Sequence, residues 1–177
     1  MPIITNKIYA IIAIALLCCL NVTQSGASEV TKADKVKAAI VYKLSKFVAW
    51  PGKKQTLALC IIGSGAINSE LQKINHKFSR GRRISVTHKI HSAPLKKLCD
   101  IVYIHNSTPH VVSGILQKLK NESVLTISDS ENFAYQGGVI GLIRTGSRIQ
   151  FAISQSATRN ANLSINAQLM RLAKVVK

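Results

Sequence analysis

The sequence predicts a single α/β domain: a central, mostly parallel mixed sheet of about six strands, with helices on both faces. Three observations carry this. Residues 57–62, 101–104 and 124–127 are near-continuous apolar runs, the pattern of strands buried on both faces. Between them, apolar residues recur at three- and four-residue steps, which is the helical period, and strands alternating with helices favour parallel pairing. Residues 139–143 and 149–153 then form two further apolar runs, joined across Arg144-Thr145-Gly146-Ser147-Arg148. They read as a hairpin, which makes the sheet mixed.

Residues 1–27 read as a cleaved secretory signal, leaving residues 28–177 as the mature domain. Lys7 is the single charge in that stretch, residues 8–20 are uninterruptedly apolar, and Ser25-Gly26-Ala27 places small residues at the cleavage point. The apolar run is shorter than the ~20 residues of a membrane span. Cys18-Cys19 leaves lipidation as an alternative, although Leu16-Leu17 lacks the small residue that a lipobox places before its cysteine. The expected location is the periplasm.

From Lys32 a helix is predicted over residues 32–49, with Ala33, Val36, Ile40, Leu44 and Phe47 inward, stopped at Trp50-Pro51-Gly52. The strand at 57–62 passes into Gly63-Ser64-Gly65 and a helix over 66–75. A glycine loop between strand and helix can hold an anion on backbone N–H groups, so Gly63, Ser64 and Gly65 are ligand-binding candidates, with a plain tight turn as the alternative. A dinucleotide fingerprint would need a third glycine and a following acid, both absent. Lys77, Arg80, Arg82 and Arg83 form the densest basic cluster and are candidates for docking an acidic partner. Residues 84–90 alternate polar with apolar and predict a half-exposed edge strand. Thr108 as cap and Pro109 as first helical residue predict a helix to about Lys120.

The stretch after the strand at 124–127 is denser in signals. Ser128-Asp129-Ser130 can cap a short helical turn that carries Phe133 and Tyr135, and Gly137-Gly138 then reverses the chain. Asp129, Gly137 and Gly138 are read as shaping the turn. Phe133 and Tyr135 are partner-contact candidates, with Phe133 more simply read as a buried anchor of the turn and Tyr135 as the exposed contact. From Leu163, the stripe Ile165, Leu169, Leu172, Ala173 and Val176 predicts a terminal helix.

Composition narrows the function. Twenty-four Lys and Arg face seven acids, giving a formal charge of +17, or +16 once Lys7 is removed with the signal. Such a surface suits anionic lipid, polysaccharide or an acidic protein face, and export removes nucleic acid as an expected partner. Cleavage leaves Cys60 and Cys99, most simply a disulfide in an oxidising compartment, with two buried thiols as the alternative. Closing a loop of about 40 residues stabilises a fold by ~3 to 4 kcal/mol in the chain-entropy picture. No metal site is expected, since no second Cys or His stands two to four residues from either cysteine, and no cofactor is implied. His105 and His110 flank one loop without a neighbouring carboxylate, and the acids are mostly isolated. Neither a nucleophile–base pair nor a carboxylate pair can be assembled, so an enzyme is not expected.

Several blocks together resemble one family. Val36-Lys37-Ala38-Ala39 with Lys46-Phe47-Val48-Ala49-Trp50-Pro51 is similar to its N-terminal helix signature, and Leu59-Cys60-Ile61-Ile62-Gly63 to its first strand. Val124-Leu125-Thr126-Ile127-Ser128-Asp129, Phe133-Ala134, Gly137 to Leu142 and Arg148-Ile149-Gln150-Phe151 resemble its most distinctive block, and Ala161-Asn162-Leu163-Ser164-Ile165 its last. The family is that of YfiR, small exported bacterial proteins. The resemblance implies a periplasmic α/β protein, often a homodimer, that binds the periplasmic sensory domain of an inner-membrane diguanylate cyclase and represses cyclic-di-GMP synthesis. It implies an outer-membrane lipoprotein as a further partner. Cys60 and Cys99 fall where the family has its shared disulfide, and a second cysteine pair found in some members has no counterpart here. Two other readings stand beside this one: a sensor for a small anionic ligand, and a module that attaches to the envelope through its basic cluster.

Overall fold

The computed structural model describes residues 29–176, so the proposed signal segment lies outside the described residues. Elements follow in the order α1 (Lys32–Ser45), β1 (Val48–Ala49), β2 (Thr56–Ile62), α2 (Ile67–Gln72), β3 (Phe78–Ser79), β4 (Arg82–His88), α3 (Leu95–Leu98), β5 (Ile101–Ile104), α4 (Pro109–Lys118), β6 (Leu125–Ser128), β7 (Ile140–Thr145), β8 (Arg148–Ser154), α5 (Gln155–Asn160), β9 (Ser164–Ile165), α6 (Ala167–Leu172) and β10 (Lys174–Val176). Eight strands form one sheet in the order β10-β8-β7-β6-β5-β2-β4-β3. Neighbours from β7 to β4 run parallel, while β8 and β3 pair antiparallel with β7 and β4. The α/β class and the mixed, mostly parallel sheet are as expected; the strand count is eight in this sheet, not six.

Alternation along the central strands divides the core. Leu59, Ile61, Ile101, Tyr103, Leu125 and Ile127 face α1 and α2, whereas Cys60, Ile62, Val102 and Ile104 face α3 and α4. The helix starts follow local chemistry. Thr31 caps α1 in a capping box with Asp34, and Thr108 accepts from Val111 N with Pro109 as the first residue of α4. Cys60 in β2 and Cys99 just before β5 are joined, with Cα atoms 5.8 Å apart, on the α3/α4 side of the sheet.

Four local expectations need correction. The first helix ends at Ser45, because Val48 and Ala49 leave it to pair with Ile165 and Ser164. Its inward face is Ala38, Val41, Leu44 and Ser45, while Val36 is exposed. The edge strand is not β4, which β3 covers through the Arg80-Gly81 turn. The terminal stripe is helical only over Ala167–Leu172, after which Lys174–Val176 pairs parallel with β8 as a new edge and leaves Leu172 in solvent. Residues after Ser128 form successive turns and no helix, held where Ser130 N donates to Ser128 Oγ at 3.0 Å.

Asp100, buried at the start of β5, holds the amino ends of three strands. Its amide donates to Ala58 O, its carboxylate accepts from Ala58 N and from Lys54 Nζ at 2.6 Å, and its carbonyl accepts from Leu125 N and Trp50 Nε1. Hydrogen bonds to a buried carboxylate contribute about 1.5 to 3 kcal/mol. Asp100→Ala is expected to lower unfolding stability by about 2 kcal/mol or more, read as a lower urea midpoint at unchanged slope.

Candidate functional site

Two places gather the residues that the sequence singles out. The first is the carboxyl edge of β2, β5 and β6. From β2 the chain turns to α2 on the α1 face; from β5 it turns to α4 on the other face. With β2 and β5 adjacent, this is the topological switch point at which open α/β sheets form a crevice.

Gly63 is at φ +106, and a Cβ there would lie 1.9 Å from the His105 carbonyl oxygen, so only glycine lets the two loops touch. Asn106 Nδ2 donates across to Ser64 O at 3.0 Å, and Asn68, whose Nδ2 donates to Gly63 O within its own segment at 3.2 Å, crosses through its Oδ1 to His105. Gly63, Ser64 and Gly65 therefore meet His105 and Asn106 rather than standing alone. An open cavity of about 520 Å³ lies above, lined by His105, Asn106, Ser107, Thr108, Asp129 and Ser130.

His105 is buried, and its Nε2 lies 2.7 Å from Asn68 Oδ1. Since that oxygen can only accept, the neutral ring carries its proton on Nε2. Burial holds the ring below its ordinary value near 6.5, helped by the charges of Lys37 and His88 and opposed by Asp129 and Asp34. Tyr103, one turn of the pleat earlier on the same face, is fully buried. Its hydroxyl has no hydrogen-bond partner among the described residues, and burial, with Asp129 and Asp34 nearby, holds it protonated. Asp129 and Lys37 form a half-buried ion pair that ties α1 to the end of β6.

Asp129 thus serves a long-range pair, whereas Ser128 makes the turn bonds to which Asp129 was expected to contribute. Phe133 takes the core position of its anchor reading and is no contact: it is 1% exposed, and a Cβ on Gly138 would meet its ring at 2.1 Å. Gly138 is there for that ring, and Gly137, at φ +98, for the reversal. Tyr135 is 53% exposed, with Lys174 Nζ 5.7 Å from its ring centre. His110 is exposed in the first turn of α4, and the described residues contain no group of three or more His, Cys, Asp or Glu placed to hold a metal ion.

The second place is the β3–β4 hairpin. Arg80 and Gly81, at φ +51 and +78, form a two-residue turn of the kind that matches strand twist. Phe78 is 56% exposed under the Arg83 guanidinium, 5.4 Å from its ring centre. Lys46 and Lys77 approach the ring of Tyr42, whose hydroxyl donates to Phe78 O at 3.0 Å. Lys77, Arg80, Arg82 and Arg83 are thus gathered with two aromatics. Tyr135 stands beside β10, at the opposite end of the sheet, and shares no patch with them.

The sequence reading missed Lys37, Asn68 and Tyr103. For Lys37 a signal existed: it stands one helical turn before Val41, in line with the buried stripe that runs on to Leu44 and Ser45. Asn68 and Tyr103 carry none, because their roles depend on which loops meet.

The YfiR/HmsC-like family matches residues 34–174. The chain belongs to this family. The fold is shared more widely. A conserved domain protein from Vibrio cholerae O1 biovar El Tor matches with a TM-score of 0.57 at 8% identity over 81% of this chain. An ABC domain from Streptococcus pneumonia, solved in complex with L-Trp, matches with a TM-score of 0.55 at 8% identity over the same share. The chain spans 60% of the length of each. At that identity the likeness is one of fold alone. It extends the α/β architecture beyond the family.

The His105 environment yields a pH dependence. The unfolded ring takes up a proton near pH 6.5 that the folded ring refuses until a lower pH, so stability is complete above about 6.5 and is lost as pH falls towards the folded value. The melting temperature is expected to drop between about pH 7 and pH 5. His105→Gln should flatten that part of the profile in thermal melts across pH.

Proposed function

We propose that the protein is an exported regulator that binds the periplasmic sensory domain of a membrane diguanylate cyclase and holds cyclic-di-GMP synthesis down. The observation that carries this reading is the family match across residues 34–174, nearly the whole described domain. Export rests on the leader-like residues 1–27 and agrees with the Cys60–Cys99 disulfide. A docking role also agrees with the basic, aromatic β3–β4 edge, since arginine and aromatic side chains are enriched at interfaces. Deleting the gene is expected to raise cellular cyclic-di-GMP and biofilm mass, and a plasmid copy to restore both. Unchanged cyclic-di-GMP in the deletion strain would count decisively against repression.

One observation favours a second reading, a sensor for a small anionic ligand. The switch-point crevice is where α/β sheets place ligands, and here it is rimmed by Ser107, Thr108 and the amino end of the ten-residue α4. On this reading a thermal-shift screen of small carboxylates and phosphates should raise the melting temperature by several degrees, and Gly63→Ala should abolish the response. A screen without any stabilising anion leaves the regulatory reading alone.

A further inference from the structure

Arg82 differs from the other cations of the basic edge. It is half-buried, and its Nη2 donates to the Gly52 carbonyl at 3.0 Å, which fixes the plane of the guanidinium. Its Nη1 is out of contact with solvent and has no acceptor among the described residues. A buried charged donor without an acceptor is costly, and native structures seldom leave one unless something else supplies the acceptor. Beside it lies a cavity of about 220 Å³, walled by Val48, Trp50 and Leu57 on one side and by Ser79 and Arg80 on the other. The Ser79 hydroxyl lies 3.0 Å from Ser45 Oγ, whose single proton goes to Tyr42 O at 2.7 Å, so Ser79 donates to Ser45 and its own lone pairs face no donor among the described residues.

No salt bridge among the described residues reaches Lys77, Arg80, Arg82 or Arg83, because Glu70, Asp100, Glu122 and Asp129 pair with lysines elsewhere. We propose that the Arg82 cavity receives a carboxylate side chain from an acidic protein partner, with Tyr42 and the lysines stacked on it, on the same face of the sheet, forming the rim of that interface. The inference deepens the regulatory reading, since the partner it describes is the proposed cyclase domain.

Size and lining select this occupant. The cavity is smaller than the ~300 to 1,000 Å³ typical of pockets that enclose a whole small-molecule ligand. Its apolar wall suits the methylene stem of a glutamate, with the carboxylate meeting Arg80 at the mouth and reaching Nη1 once the half-buried Arg82 side chain turns to uncover it. A lipid phosphate brings no such stem. Outside the cavity, Lys46 and Lys77 are held over the Tyr42 ring on the same face, and unpaired surface cations speed the approach of an acidic face.

Trp50 is the chain's sole tryptophan and lines the cavity, so its fluorescence reports occupancy. The purified protein would be titrated with a blocked peptide containing two glutamates, with the same peptide carrying glutamines, and with phosphatidylglycerol vesicles. A saturable change with the glutamate peptide is expected, at least tenfold weaker in Arg82→Met and several-fold weaker in Arg80→Ala, with no change for the glutamine peptide. Arg80→Ala keeps the test decisive should Arg82→Met not fold. Equal response to both peptides, wild-type response in the variants, or a response to vesicles alone would overturn the proposal. The cyclase's periplasmic domain forms a parallel arm. If wild type and both variants bind it equally, the pocket is dispensable and the regulatory reading stands; if wild type binds the peptide but not the domain, the pocket stands and the regulatory reading falls.

Discussion

The hydrogen bonds of Asp100 set the register on which the rest of the sheet depends. Strands β2, β5 and β6 are buried on both faces, so shifting one by a residue exchanges one apolar side chain for another, and hydrophobic pattern alone specifies their register weakly. Asp100 supplies what the pattern lacks. Its amide and carboxylate clasp Ala58 of β2, its carbonyl takes the amide of Leu125 in β6, and the Trp50 indole closes the same carbonyl from the loop after β1. A displaced strand would strand a buried carboxylate, at a cost well above that of an exchanged methyl group. Cys99, one residue earlier, is covalently joined to Cys60, so the same end of β5 is fixed on its other face as well.

With the amino ends fixed, the carboxyl ends have no freedom to drift, and the contacts there become exact consequences of strand length. Ile62 and Ile104 are register partners, which brings Gly63 against the carbonyl of His105 and lets Asn68 bridge both loops. Ile127 and Tyr103 are partners too, so Asp129 emerges beside His105 on the face where α1 presents Lys37. A half-buried ion pair of this kind adds little net stability but strongly disfavours alternative dockings of α1, since either charge alone would be stranded. The polar groups at the crevice thus hold three loops and a helix in one arrangement.

The parts of this structure that were legible in the sequence were those decided locally. The apolar runs of β2 and β5, the Thr108-Pro109 start of α4 and the glycine turn at Gly146 each follow from a few adjacent residues. What could not be read was decided by partners distant in sequence. Residues 46–49 continue a helical stripe, yet Val48 and Ala49 are claimed by Ile165 and Ser164 more than a hundred positions away. Lys174–Val176 extends another stripe but is drawn into the sheet by β8. Phe133 reads as the buried anchor and Tyr135 as the exposed contact, but the close approach of Gly138 that seats the Phe133 ring does not show in the letters. The four basic residues of the hairpin are equivalent as letters, and the fold alone singles out Arg82 by turning its guanidinium towards Gly52.

The way the few acids are used explains why so basic a chain presents its charge at an edge. Asp34 is spent on a helix cap, Asp100 on strand register, and Asp129 on seating α1. Each is placed where a carboxylate has a structural task, which leaves the outward cations of the β3–β4 edge without carboxylates of their own. Phe78 would be a liability at an exposed sheet edge, open to pairing with any passing strand. The two-residue length of β3 and the like charges of Lys77, Arg80 and Arg83 discourage a second copy of the same chain from docking there, while favouring a negatively charged face.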